Sequence, residues 1–157
     1  MTRYRMKLEY DGTAFVGWQR QDNGTGVQEA LENALLAFTG EEAAVYGAGR
    51  TDAGVHALAQ VAHFDLEKYF TANKVREAMN AHVRPHPVAI LEVDEVTEDF
   101  HARFSAVDRS YEYRILNRRA PAAIGLDRCW HVPVALDTGA MHDAAQVLLG
   151  EHDFTSF

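Results

Sequence analysis

Residues 4–10 alternate apolar Tyr4, Met6, Leu8 and Tyr10 with charged Arg5, Lys7 and Glu9, the period of a half-buried strand that ends at the Asp11-Gly12 turn signal. Thr25 and Gln28 have the spacing of a capping box. Behind them Val27, Ala30, Leu31, Ala34, Leu35 and Phe38 recur at helical intervals until Gly40, which predicts an amphipathic helix packed on the sheet. Val45–Ala48 and Val61–Phe64 read as short strands on either side of a glycine-bearing loop. Thr71 caps a second predicted helix with Val75, Ala78, Met79 and His82 on one side, stopped by Arg84-Pro85, and Val88–Val93 is the next strand. Strand, helix, strand, strand, helix, strand is the order of a ferredoxin-like split βαβ unit, an α+β fold with an antiparallel sheet and its helices on one face.

Further strand is predicted over 109–116, with Tyr111, Tyr113 and Ile115 on one face. A last helix is marked by Met141, Ala144, Ala145, Leu148 and Leu149 and closed by Gly150. The division expected is an N-terminal domain over 1–105 that carries the glycine loop and the beginning of a second over 106–157. The stop at apolar Phe154 and Phe157, just beyond a helix terminus, suggests that more sequence normally follows.

The loop between the two short strands carries the candidate chemistry. Gly49-Arg50-Thr51-Asp52-Ala53-Gly54-Val55-His56-Ala57 holds one carboxylate in a turn, with Arg50 two residues upstream. Spacing alone favours a turn residue bonded to its own backbone, for which Asp-Ala-Gly is well suited. Its company permits another use: the glycines let a ligand approach, while Arg50 and His56 supply a cation and a hydrogen-bonding group, so Asp52 could serve as a nucleophile kept ionised by its neighbour.

Composition narrows the field. The 157 residues are 47% hydrophobic, enough to bury roughly two-thirds of the unfolded surface, and the formal net charge is −8. That balance argues against broad, charge-driven nucleic-acid binding, yet Arg103, Arg109, Arg114, Arg118 and Arg119 form a local basic track on an acidic body. A single cysteine, Cys129, excludes an internal disulfide framework, and with no membrane-length apolar run or leader the expected location is the cytoplasm. Of eight histidines, His82 and His86 have helical spacing, but Arg84-Pro85 between them breaks the shared face, so no metal is expected. Neither phosphate-cradling glycine motif is present.

Glu9-Tyr10-Asp11-Gly12 with Gly17-Trp18-Gln19-Arg20-Gln21, the glycine loop, Phe100-His101-Ala102-Arg103-Phe104-Ser105, Arg109-Ser110-Tyr111-Glu112-Tyr113 and residues 150–157 occur in an order that resembles the TruA family of tRNA pseudouridine synthases. The resemblance covers the N-terminal part of the family's usual length. It implies conversion of uridine to pseudouridine at nucleotides 38 to 40, on the 3′ side of the tRNA anticodon stem-loop, without metal or organic cofactor, by a cytoplasmic homodimer. In that reading Asp52 matches the nucleophile and Arg50 enters the stem as the target nucleotide leaves it. Tyr111 lies against the uracil, and Phe100, His101, Ala102, Arg103 and Phe104 touch RNA. The rival from another class is a noncatalytic ferredoxin-like RNA-binding module, in which Tyr111 and Phe104 stack bases and Asp52 only shapes a turn. A metal or small-molecule enzyme using Asp52 and His56 is the third reading.

Overall fold

The computed structural model describes residues 1–155; Phe157, the apolar end noted above, lies outside the described residues. Two compact units divide the chain, 1–111 and 112–157. In the first, β1 (Thr2–Tyr10), α1 (Val27–Thr39), β2 (Tyr46–Gly47), β3 (Ala57–Leu66), α2 (Ala72–His82) and β4 (Val88–Val96) follow one another. Their four strands are arranged β2-β3-β1-β4, every neighbouring pair antiparallel, the strand order of the ferredoxin-like fold.

The two-residue period of β1 places its side chains as the sequence requires. Tyr4, Met6, Leu8 and Tyr10 are buried in one cluster with Val27, Leu31 and Leu35 of α1 and Val75 and Met79 of α2. The opposite face is a charged ladder, because the register sets Arg3 beside Asp65, Arg5 beside Asp94 and Lys7 beside Glu92. Each pair forms an ion pair, at 2.8, 2.6 and 3.2 Å. Arg3 holds the Asp65 carboxyl below its ordinary range, chiefly through their hydrogen bond. The ladder fixes register more than it adds stability, since partly exposed pairs contribute at most about 1 kcal/mol each.

The helix starts differ. Thr71 caps α2 as expected, its side chain accepting from the Lys74 N–H. Thr71→Ala is expected to lower stability by about 1 kcal/mol in chemical denaturation, with activity unchanged. The capping box expected at Thr25 and Gln28 does not form. Gly26 is the N-cap with no side-chain bond, and the Val27 and Gln28 N–H groups donate to the carbonyls of Gly17 and Trp18. The 11–21 loop thus caps α1, and the Gln28 side chain is released to reach Glu32 and the Val45 carbonyl. Within that loop Phe15 and Trp18 pack into the core beside Tyr10, over the end of the sheet.

The second unit contains β5 (Ile115–Asn117), which pairs in parallel with β6 (Trp130–Val132), and α3 (Thr138–Ala145), whose N-cap is Asp137. The strand expected over 109–116 is reduced to its last residues, because among the described residues 109–114 have no partner strand to complete a ladder. The last helix is also shorter than its apolar pattern: Gln146–Leu148 tightens into a single 3-10 turn. Among the described residues no helix is long and apolar enough to cross a membrane.

Candidate active site

The glycine loop runs from the end of β2 to the start of β3, and its backbone is tied down on every side. The Ala48 N–H donates to the Val61 carbonyl (2.7 Å), the Trp18 N–H donates to the Thr51 carbonyl (2.9 Å), and the Val55 N–H turns back to the Asp52 carbonyl (3.2 Å). Side chains add the rest. Gln60 Nε2 donates to the Gly49 carbonyl at 2.8 Å, and the Tyr10 and Thr51 hydroxyls bond at 2.8 Å. Two glycines of the 11–21 loop make this docking possible: a Cβ on Gly12 would lie 2.0 Å from the Val55 carbonyl oxygen, and one on Gly17, at φ +119°, 2.7 Å from that of Thr51.

Asp52 and Arg50 emerge from this braced backbone on the exposed side. They line one open groove of about 500 Å³ together with Val16, Gln19, Arg20 and Gln21. Among the described residues neither the Asp52 carboxylate nor the Arg50 guanidinium has a side-chain partner, so both groups face the groove uncommitted. Arg20, a second cation of the groove, is steadied from α1 by Glu29 and Glu32 at 3.9 and 3.6 Å. His56, weighed as a neighbour of Asp52, turns the other way: its Nδ1 accepts from the Gly12 N–H at 3.0 Å and lies 3.2 Å from the Asp11 carboxylate. It is a strut between the two loops, and a site built from Asp52 and His56 has no geometric support.

Other candidate residues gather along the stem of the loop. The Tyr111 hydroxyl stands 3.9 Å from where a Gly49 Cβ would be, its ring largely exposed. Arg109, counted above in a basic track, is used structurally, donating to the carbonyls of Ala48 (3.2 and 3.0 Å) and Arg103 (2.8 Å). In the second unit Arg114 pairs with Glu112, and Arg118 donates to the Ala120 and Pro121 carbonyls. Arg103 remains the exposed cation of the 100–105 turn, its guanidinium 6.0 Å from the centre of the Phe104 ring.

That turn is docked by a histidine. His63, on β3 and 2% exposed, accepts at Nδ1 from the Ala102 N–H (3.2 Å). Its ring stacks on Tyr46 at 5.1 Å and lies 4.6 Å from His101, which in turn lies 4.4 Å from Phe104. Arg3 fixes the other side, donating to the carbonyls of Glu98 and Phe100. Ala102 is buried; Phe104, at the end of the row of rings, is 78% exposed. Burial, followed by the proximity of His101 and Arg3, holds the His63 pKa below its ordinary 6.5. The docked turn therefore favours neutral His63, whereas the unfolded chain takes up a proton near 6.5. The stability due to this group is complete above pH 6.5 and declines as pH falls below it. Denaturation midpoints measured from pH 7 to 5 should fall, and His63→Gln should flatten the slope. An unchanged slope in the variant would exclude His63 as its source.

Asp52, Arg50 and Tyr111 were approachable from motif order. Gln60 and His63 were not, for in sequence they are ordinary strand polar residues; only the pairing of β1, β2 and β3 sets Gln60 beside this loop and His63 beside the 100–105 turn.

The family described as tRNA pseudouridine synthase matches residues 7–105. The tRNA pseudouridine synthase A of Rhodospirillum centenum is 62% identical to this chain, and those of Rhodopseudomonas palustris and Afipia carboxidovorans are 60% and 59% identical. Each similarity covers 100% of this chain and 64% of the relative, so the chain spans 64% of the length of these proteins. From residue 7 to residue 105 and in its likeness to these relatives, the chain belongs to the tRNA pseudouridine synthase family.

Proposed function

We propose that this chain carries the catalytic loop of a cofactor-independent isomerase that converts uridine to pseudouridine in the anticodon stem-loop of tRNA, with Asp52 as nucleophile. The observation that supports it best is the pairing of a rigid loop backbone with an uncommitted carboxylate and an uncommitted guanidinium on one groove. A stem uridine must leave the stack before a side chain can reach it, at a cost of a few kcal/mol. Arg50 fills the space left behind and meets phosphate. Tyr111 offers an exposed ring to the extruded base, and stacking recovers about 1–3 kcal/mol, comparable with the cost. Phe100, His101, Ala102, Arg103 and Phe104 form an RNA-contacting turn in which Arg103 meets the backbone and Phe104 presents its ring.

The reaction conserves atoms. Asp52 bonds to C1′ while the N1–C1′ glycosidic bond breaks, or adds to C6 of the uracil ring before that bond breaks. In either route the base turns, C5 bonds to C1′, Asp52 departs, C5 loses its hydrogen as a proton and N1 takes a proton up. Both routes use the same residues. Phosphate contacts act within a Debye length of about 8–10 Å, so a local cluster of arginines suffices on a chain of net charge −8. We read residues 1–105 as the loop-bearing domain, 106–157 as the start of a second, and the working form as a cytoplasmic homodimer. Tritium release from C5-labelled uridine in unmodified tRNA tests the assignment directly; binding without release, by a protein that carries this chain, would favour the noncatalytic RNA-binding module.

A further inference from the structure

Resting on the reading of Arg50 as the group that enters the stem, we propose that Gln60 and Tyr10 are positioning residues that clamp the backbone on either side of Arg50 and make it a stiff wedge. Gln60 Nε2 holds the carbonyl of Gly49, the residue before Arg50, and the Tyr10 hydroxyl holds the side chain of Thr51, the residue after it, both at 2.8 Å. The two clamps are linked, because the Gln60 amide also faces the Tyr10 hydroxyl. Gln60 is itself oriented, its Oε1 accepting from the Val61 N–H at 3.2 Å. Outside the clamps, Ala48 is held by Val61 and Arg109, and the Thr51 carbonyl by Trp18.

The sheet explains how two strand residues reach one loop. Leu8 pairs with Gln60 but Tyr10 pairs with Ala57, so β3 carries an extra residue between the two positions. This irregularity brings Gln60 and Tyr10 together at the end of the sheet from which the loop springs. Tyr10 is 4% exposed and packed by Phe15 and Trp18, so its hydroxyl is delivered from a rigid ring. Burial also pushes the pKa of that hydroxyl above the usual tyrosine value. Arg50 itself stays exposed between the clamped residues. A wedge must push against base stacking; on a free loop the push would be lost in backbone motion, whereas a backbone held on both sides transmits it.

The clamp should therefore matter for a paired uridine and be dispensable for one that is already unpaired. The test uses single-turnover tritium release by the complete protein on two anticodon stem-loops that differ only in the nucleotide opposite the target, one pairing with it and one not. Tyr10→Phe and Gln60→Met are each expected to slow the paired substrate about tenfold and the unpaired one less than about twofold, with tRNA affinity unchanged. Thr51→Val approaches the Tyr10 bond from its other end and should not add to Tyr10→Phe. Arg50→Ala sets the reference. If it shows the paired-selective loss while Gln60→Met, Tyr10→Phe and Thr51→Val do not, the clamp is overturned and the wedge stands. Equal losses on both substrates in the clamp variants, tracking a lowered melting temperature, would show a merely structural role and overturn it too. Equal losses in Arg50→Ala itself would overturn the wedge reading and the clamp with it.

Discussion

Asp52→Asn in the complete protein is expected to reduce tritium release from C5-labelled tRNA by about 10⁴-fold or more, while tRNA binding is retained. The size follows from the chemistry. Without a nucleophile no covalent intermediate forms, and the amide of Asn neither attacks C1′ nor adds to C6 at a useful rate. Retention of binding and fold follows from the structure. Among the described residues the carboxylate has no hydrogen bond or ion pair to lose, and Asn has nearly the same volume. The loop is held by backbone groups of Ala48, Gly49, Thr51 and Val55 and by the Thr51 hydroxyl, none of which belongs to the Asp52 side chain. Removing a negative charge from a surface that meets phosphate should leave affinity equal or slightly higher. Two measurements suffice: release in single turnover and binding by titration. Turnover within tenfold of the parent would sink the nucleophile assignment. Loss of both turnover and binding would instead make Asp52 a structural turn residue.

The fold was legible wherever one residue type sufficed for one role. The alternation of Tyr4, Met6, Leu8 and Tyr10 against Arg5 and Lys7 predicts β1, and the structure buries the first set and pairs the second. The apolar stripe of α1 was readable for the same reason. Its start was not, because the N–H groups of Val27 and Gln28 are satisfied by carbonyls of Gly17 and Trp18, a tertiary contact that displaces the local Thr25 and Gln28 cap. A similar limit applies at 109–114: the period of a strand is present, but a strand also needs a neighbour, and periodicity is silent about neighbours. For the site, Asp52 and Arg50 stand out because exposed functional groups are announced by a motif. The groups that hold them are polar residues at unremarkable strand positions, and Gln60 becomes legible only once the irregular β1–β3 register sets it beside Tyr10. Arg109 misleads in the opposite sense, since charge in sequence suggested RNA whereas its guanidinium is spent on the Ala48 and Arg103 carbonyls.

Gly12→Ala is expected to be the most damaging single-methyl change in the first unit, costing about 3 kcal/mol and removing most activity. Gly12 does not adopt a left-handed backbone, so the effect is one of space alone. Its added Cβ would lie 2.0 Å from the Val55 carbonyl oxygen and 2.5 Å from the carbonyl carbon. Those atoms are backbone and have no rotamer to change, so the two loops must part by about an ångström or more before the contact becomes tolerable. Parting them strains the 3.0 Å bond from the Gly12 N–H to His56 and the 3.2 Å turn from Val55 back to Asp52. The methyl group thus acts three residues from the nucleophile through the backbone that aims it, and displacement of this size costs about 10²-fold in rate even where folding survives. Gly54→Ala provides the contrast, for Gly54 has φ +78° with nothing within 4 Å of its Cβ position. That change carries only left-handed strain of about 1–2 kcal/mol and leaves the loop docked. Thermal melts should therefore fall by about 10 °C for Gly12→Ala and by about a third to two-thirds of that for Gly54→Ala. Equal shifts in the two variants would mean that conformational freedom, and not close approach of the two loops, is what the glycines supply.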